Sequence, residues 1–400
     1  MGKIRKLSRL FYVLIALTLG FIVVYGLSKV SDKSKGPIET VLTNAGTAVQ
    51  EVEKTIILEQ RQGTRKDKLD WFKSQRENKQ QLIHSKLLLF GASDDSKKES
   101  YENIFNLEDS LALTFPIIHI YEAWGEKPEQ EFPIKEVNAI YEIGSIPMIT
   151  WEPWVSDFSE ENFPGIQPIE SRDKSAMTAI ANGFYDSFLK KWAIEAKNYK
   201  HPIYLRLGHE MNEPYRYPWG LQNNTPQEFV AGWKHVHDIF EQLGANNIIW
   251  VWSPHTAYGY FDAYYPGKGY VDVISTGVLN FGTSVTWSKW WTFDEIFGSH
   301  YKELAIFNKP IMIAEFGTLK TGGDRAKWFG DAFKNFRQKY PLVNSIVFYH
   351  YSGDKTVDDR AVNWYIKDDK KVTTEIKKQL RVWYDSVRQT ELISNSKNNK

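Results

Sequence analysis

Two glutamates set the chemical question. Glu210 follows the apolar run Ile203–Leu207, and Glu315 follows Ile311–Ala314. A carboxylate at the end of a buried strand is costly unless it has a partner or a use. Two carboxyl groups facing each other can cleave a glycosidic bond. One protonates the departing oxygen, and the other attacks the anomeric carbon or activates water. The bland alternative is that each glutamate pairs with a neighbouring Arg or Lys. Aromatic residues cluster near both: Trp151 and Trp154 after Ile146–Thr150, Trp219 after Glu210, and Trp364 toward the end. Flat, rigid rings grip sugar faces as readily as they fill cores. With 15 Trp, 21 Tyr and 23 Phe in 400 residues, ring content alone does not separate these uses.

The elements that must position these residues recur regularly. Short apolar runs occur at Leu87–Phe90, Ile117–Tyr121, Ile146–Thr150, Ile203–Leu207, Ile248–Trp252, Val271–Ser275, Ile311–Ala314 and Ser345–Tyr349. They are apolar throughout rather than alternating, as in parallel strands buried on both faces. Helical patterns lie between them, near 175–199, 288–307, 324–339 and 373–389. The clearest starts at the capping box Thr225-Pro226-Gln227-Glu228 and stops at Gly244. Eight β-then-α units predict an α/β fold, a (β/α)₈ TIM barrel. A doubly wound open sheet would also alternate, but Gly91-Ala92-Ser93 is not its Gly-rich phosphate turn.

Chemistry in such a barrel belongs at the C-terminal ends of the strands. There the chain carries His119, Trp151, Glu152, Trp154, His209, Glu210, Trp252, His255, Glu315 and His350. Arg206 lies four residues before Glu210, on the same side by strand alternation. It is the candidate cation for keeping one carboxylate ionised, or equally a structural ion pair within the barrel. His209 is a candidate hydrogen bonder beside Glu210. His119 is expected to meet sugar hydroxyls or core partners.

Residues 201–212 (HPIYLRLGHEMN), followed by Tyr217-Pro218-Trp219-Gly220, resemble the acid/base motif of glycoside hydrolase family 26. Residues 310–317 (PIMIAEFG), with Lys327-Trp328-Phe329 downstream, resemble its nucleophile segment, and residues 146–154 (IPMITWEPW) its third strand. The family contains β-mannanases and related β-glucanases and β-xylanases. The resemblance covers about residues 86–388. It implies a retaining mechanism with Glu210 as acid/base and Glu315 as nucleophile. It also implies that His209 and Trp219 line the subsites beside the scissile bond and that Trp364 floors the −1 subsite. Trp151, Trp154, Arg206, His119 and Asn280 complete the expected substrate-binding set. Two departures stand out. Asn212-Glu213-Pro214 mimics the acid/base motif of other barrel glycosidases, which makes Glu213 a rival to Glu210. Leu279 stands where many members carry a Tyr that hydrogen-bonds the nucleophile.

Outside the barrel, Lys3, Arg5, Lys6 and Arg9 precede an uncharged run, Leu10–Leu27. It reads as an uncleaved transmembrane anchor with the basic flank in the cytoplasm and the bulk of the chain outside. A signal peptide is the rival, but Tyr25-Gly26-Leu27-Ser28-Lys29 makes a poor cleavage site. Residues 1–36 are thus expected to form tip, anchor and linker, 86–390 the catalytic barrel and 391–400 a polar tail. Apolar residues from Ile38 to Ile56 step by fours and threes, as in a stalk helix or one docked on the barrel, and charged residues 59–85 read as a connector. A net charge of +1 argues against a nucleic-acid partner. The lack of cysteine excludes a thiol nucleophile, and no metal motif or cofactor site is legible. The expected partner is a polysaccharide. A non-catalytic glycan-binding protein and a transglycosylase remain open beside a hydrolase.

Overall fold

The structure is a computed structural model that describes residues 56–93, 101–285, 288–356 and 359–381. Eight parallel strands close into a barrel in sequence order: β1 (Leu89–Ser93), β2 (Ile117–Ala123), β3 (Ile146–Glu152), β4 (Ile203–Leu207), β5 (Ile248–Trp252), β6 (Val273–Asn280), β7 (Ile311–Thr318) and β8 (Val343–Tyr349). β1 pairs with both β2 and β8, which leaves no edge. Gly91 permits one of these contacts, because a Cβ there would meet the Ile117 carbonyl oxygen at 2.8 Å.

Each strand leads to a helix. These are Glu102–Leu111, Ile134–Glu142, Asp186–Tyr199, Pro226–Leu243, the single turn Phe261–Tyr264, Phe293–Ala305, Arg325–Phe333 and residues 370–381. Pro226–Leu243 starts and stops as its sequence dictates. Thr225 and Glu228 form the reciprocal capping box, and Gly244 ends the helix with φ at +77°.

Residues 61–85 are part of the barrel's own compact unit rather than a connector. Leu69, Phe72, Leu82 and Ile83 share one buried cluster with the inward residues Leu89, Ile117, Met148, Ile249 and Met312 and close the N-terminal mouth. Beside them Arg65 is fully engaged. Its Nε and Nη2 donate to the two carboxylate oxygens of Glu108, at 3.0 and 2.6 Å, and its Nη1 donates to the Ile143 carbonyl at 2.6 Å. The composition of 59–85 suggested solvated charge, but here a buried cation organises an apolar plug.

The anchor expected at residues 10–27, the apolar seam of 38–56 apart from its last residue, and the tail lie outside the described residues. Among the described residues no helix is long and apolar enough to cross a membrane.

Candidate active site

β7 delivers Glu315 through an irregularity. Met312 and Ala314 both sit in the inner cluster, so simple alternation would turn Glu315 outward. Instead the register with β6 shifts between Thr276 and Gly277, and that with β8 shifts between Ile313 and Phe316. A bulge re-aims side chains in this way. Glu315 therefore opens into the mouth, where its Oε1 accepts hydrogen bonds from the Tyr121 hydroxyl at 2.8 Å and from Arg206 Nη2. Arg206 is completely buried and also donates through Nε to Thr150 Oγ1 at 2.7 Å, which lies 2.7 Å from His119 Nε2.

Burial alone would push the Glu315 carboxyl pKa up. The charge and hydrogen bond of Arg206, the Tyr121 hydroxyl and the charge of Arg216 outweigh it, and the net shift is downward. Burial, helped by the Arg206 charge, holds His119 well below the usual imidazole range, so it is neutral near pH 7. Glu315 is thus an ionised carboxylate backed by a buried cation.

Glu210 arrives differently. After β4 the chain turns sharply, with Gly208 at φ +48° and Glu210 itself at φ +54°. Left-handed backbone at a glutamate costs about 1–2 kcal/mol, and such strain gathers at functional sites. The Glu210 amide donates to the Ser253 carbonyl at 2.6 Å, which locks the turn against the end of β5. Its Oε2 accepts from Arg216 Nη2 at 2.7 Å and from the Tyr217 hydroxyl at 3.2 Å. His255 Nε2 lies 3.9 Å from Oε1. The rival Glu213 is turned toward its own loop. Its Oε2 accepts the Tyr215 and Arg216 amides at 3.0 and 2.8 Å, and the residue is buried.

Gly277 stands between the two carboxylates. A Cβ there would lie 3.5 Å from Glu315 Oε2 and 3.7 Å from Glu210 Oε1. Those oxygens are therefore no more than about 7 Å apart, which admits the ~5–5.5 Å typical of retaining glycosidases and little of the ~6.5–9.5 Å range of inverting ones. A cavity of about 780 Å³ opens above them, and its walls include Tyr121, Glu152, His209, Tyr217, Trp291 and Tyr349.

The other expected residues divide. His209 lines the cavity, 3.2 Å from the Tyr217 hydroxyl, and burial together with the Arg206 and Arg216 charges keeps it neutral. Trp219 is fully buried. It stacks on Tyr217 with centroids 4.6 Å apart and donates to the His209 carbonyl at 2.7 Å, so it props the wall rather than forming it. Trp154 is half-buried beside it, with its indole donating to Glu152 at 3.0 Å. Trp151 does not reach the cavity. It follows inward Thr150, so alternation turns it outward, where it stacks on Trp192 with centroids 4.3 Å apart. Trp364 is also buried, behind the cavity-lining Phe281, Tyr349 and Asp354. Arg206 and His119 lie beneath the carboxylates. Asn280 is buried and braces the loops after β6 and β7, donating to Thr318 Oγ1 at 3.0 Å and accepting from the Gly282 amide at 3.1 Å.

Sequence reasoning gave no role to Tyr121, Arg216 and Tyr217. Tyr121 was within reach, because it continues the inward series Ile117, His119. It supplies to Glu315 the hydroxyl that Leu279 lacks. Among the described residues no group of three His, Asp or Glu is placed to hold a metal ion.

Residues 134–298 match the sequence model of Glycosyl hydrolase family 26. Endoglucanase H of Acetivibrio thermocellus is 34% identical over 241 residues, covering 57% of this chain and 23% of that protein. A mannan endo-1,4-beta-mannosidase of Bacillus subtilis is 29% identical over 189 residues, covering 41% of this chain and 48% of the other. The chain thus spans less than half the length of either relative. A GH26 beta-mannanase structure from Bacteroides ovatus shares the fold, with TM-score 0.54 and 16% identity over 82% of this chain and 93% of that one. By these matches the chain is similar to glycosyl hydrolase family 26 over residues 134–298.

Proposed function

We propose that the protein is a retaining endo-β-glycanase acting on β-1,4-mannan or a related β-glucan, with Glu315 as nucleophile and Glu210 as acid/base. The observation that carries this reading is the meeting of two carboxylates across Gly277, one of them held ionised by Arg206 and Tyr121. Glu210 donates a proton to the glycosidic oxygen while Glu315 attacks the anomeric carbon, and the carbon–oxygen bond breaks as the ester to Glu315 forms. Glu210 then takes a proton from water, whose oxygen displaces Glu315 and restores the starting β configuration. The substrate class follows the names of the relatives, an endoglucanase and mannan endo-1,4-beta-mannosidases. Trp291 and Tyr349 offer ring surfaces along the cavity.

The non-catalytic alternative drew on Leu279 in place of a tyrosine. The Tyr121 bond to Glu315 weakens that objection and favours an enzyme. The proposal also keeps the membrane anchor at residues 10–27, with the barrel outside the cytoplasm, on the basis of the basic flank and the uncharged run. Protease added to intact cells should then digest the barrel while residues 1–9 stay protected.

The direct test incubates the full chain with β-mannan, mixed-linkage β-glucan and xylan, and follows the anomeric configuration of the first product by NMR. Release of β-product from one of the first two polymers, abolished in Glu315→Ala, is expected. Initial release of α-product, or equal activity in the variant, overturns the assignment.

A further inference from the structure

The two oxygens of Glu210 are divided. Oε2 accepts from Arg216 and the Tyr217 hydroxyl, whereas Oε1 faces the gap at Gly277. A second group is aimed at the same gap. His255, just past β5, lines the cavity, and its Nε2 lies 3.9 Å from Glu210 Oε1. That is too long for a hydrogen bond between the two, but an oxygen atom set between them would lie within about 2.8–2.9 Å of each. The chain itself places the hydrogen on the ring. The Ala257 amide donates to His255 Nδ1 at 3.0 Å, so Nδ1 presents a lone pair and the ring N–H is on Nε2. The nitrogen that faces Glu210 is therefore a hydrogen-bond donor. Its position is held from the backbone. Asn212, buried two residues after Glu210, accepts the His255 amide at 2.7 Å through Oδ1 and donates through Nδ2 to the carbonyls of His255 and Gly259, both at 2.9 Å. Tyr258 packs on the imidazole with ring centroids 4.9 Å apart. With the bond from the Glu210 amide to the Ser253 carbonyl, these contacts tie the acid/base loop to the loop after β5.

We infer that His255 is a further catalytic residue, whose Nε2–H donates to the departing glycosidic oxygen. This rests on the proposed double displacement. The oxygen that takes the proton from Glu210 must come within hydrogen-bond reach of Oε1, on the side facing Glu315, and His255 Nε2 overlooks that position. As Glu315 forms its ester bond to the anomeric carbon, the electron pair of the breaking carbon–oxygen bond stays on the departing oxygen, which receives the Glu210 proton. Where cleavage runs ahead of proton transfer, negative charge gathers on that oxygen. A fixed N–H then stabilises the transition state more than the bound substrate. His255 keeps its hydrogen throughout, so the proton balance is that of the two glutamates alone.

His255→Asn separates this chemistry from the fold of the loop. Its side-chain carbonyl accepts the Ala257 amide as Nδ1 does, and the Asn212 bonds go to backbone atoms, so the loop keeps its anchors while no donor reaches the Nε2 position. The measurement is kcat/KM on the polymer that the parent hydrolyses and on aryl β-glycosides of the same sugar, with leaving groups from phenol to dinitrophenol. A sugar alcohol departs with its charge localised on one oxygen and depends on the donor, whereas dinitrophenolate spreads that charge over its ring. His255→Asn should lose about 10- to 100-fold on polymer and less than about 3-fold on the dinitrophenyl glycoside, with a steeper dependence on leaving-group acidity between them. His255→Gln, whose amide nitrogen reaches toward the same position, should recover part of the loss on polymer. A histidine that only shapes the loop would lower every substrate by one factor, and that result overturns the role. So does a polymer rate that His255→Asn leaves unchanged. A parent protein inert toward polymer and glycosides alike overturns the hydrolase itself, whereas a parent active on polymer with equal losses in the variant overturns only the role of His255.

Discussion

The two ends of the barrel each bury an arginine–glutamate pair, and the pairs differ in what surrounds them. At the N-terminal mouth, Arg65 and Glu108 are 3% and 7% exposed, and further protein groups bond to both. Arg65 also donates to the Ile143 and Phe115 carbonyls and to Ser145 Oγ, and Glu108 accepts the Phe115 amide. At the C-terminal mouth, Arg206 and Glu315 are as deeply set, at 1% and 9%, but Glu315 Oε2 faces an open gap across Gly277 toward a second carboxylate. Completed bonding makes a structural pair. A reactive one keeps an ionised oxygen aimed at space that a substrate can enter. Burial and ion pairing by themselves do not separate the two cases, because both ends have them.

Paired truncations break this comparison most sharply. Under the proposed double displacement, Glu315→Ala should lower kcat/KM by about 10⁴-fold or more, because it removes the atom that would form the covalent bond. Glu108→Ala should instead lower unfolding free energy by about 3–5 kcal/mol, because it leaves Arg65 charged and unpaired in the interior. Its kinetics below the melting transition should stay near those of the parent. Hydrolysis assays and urea melts on both variants check the contrast. If Glu108→Ala loses catalysis without losing stability, the two ends are not separate in function.

The comparison also shows where sequence reading stops. The eight strands and the helices after them were legible because parallel strands buried on both faces are apolar throughout. Arg206 was legible as the cation near a carboxylate because alternation from Tyr204 carries it inward. Glu315 was legible by type and position, but its aim was not, since alternation from Ala314 points it outward and only the bulge turns it in. Trp151 was misread as a sugar platform for want of the same counting: Thr150 faces in, so the next residue faces the helices. Arg216 was hidden because its partner depends on the fold of a loop, for which no periodicity exists. Residues 61–85 were misread because charge in a sequence looks solvated until its partners are known, and those of Arg65 lie 43 to 80 positions away.

A gentler change sharpens the reactive end. Tyr121→Phe removes one hydrogen bond to a charged oxygen and leaves the ring. Such a bond is worth about 1.5–3 kcal/mol, or roughly 10- to 100-fold in kcat/KM. The sign of its pH effect follows from Glu315. Burial raises that carboxyl pKa, but Arg206 and then Tyr121 bring it below its ordinary value, so the ionised carboxylate persists to lower pH than an unperturbed glutamate would. Without the hydroxyl the acidic limb of kcat/KM should move to higher pH. The same linkage makes the Glu315 contribution to stability fully present above the unfolded-state pKa and lost as pH falls through the folded one. A pH–rate profile with an unmoved acidic limb would show that Tyr121 does not set the ionisation of Glu315.

The smallest expected effect comes from a pair that repeats the structural one in water. Arg61 lies one helical turn before Arg65 and donates to both oxygens of Asp109, at 3.0 and 2.6 Å, next to the Glu108 that Arg65 holds. Residue types, spacing and forked geometry are nearly shared, but Arg61 and Asp109 are 38% and 50% exposed. Water then solvates either group when its partner is removed, so Arg61→Ala should cost about 0–1 kcal/mol, and less as salt is added. Arg65→Ala should cost about 3–5 kcal/mol with little dependence on salt, because Glu108 is left without solvent or cation. Urea melts of both variants at low and high salt measure the difference. A cost for Arg61→Ala equal to that for Arg65→Ala would mean that the N-terminal mouth depends on ion pairing as such, and not on the burial of the paired charge.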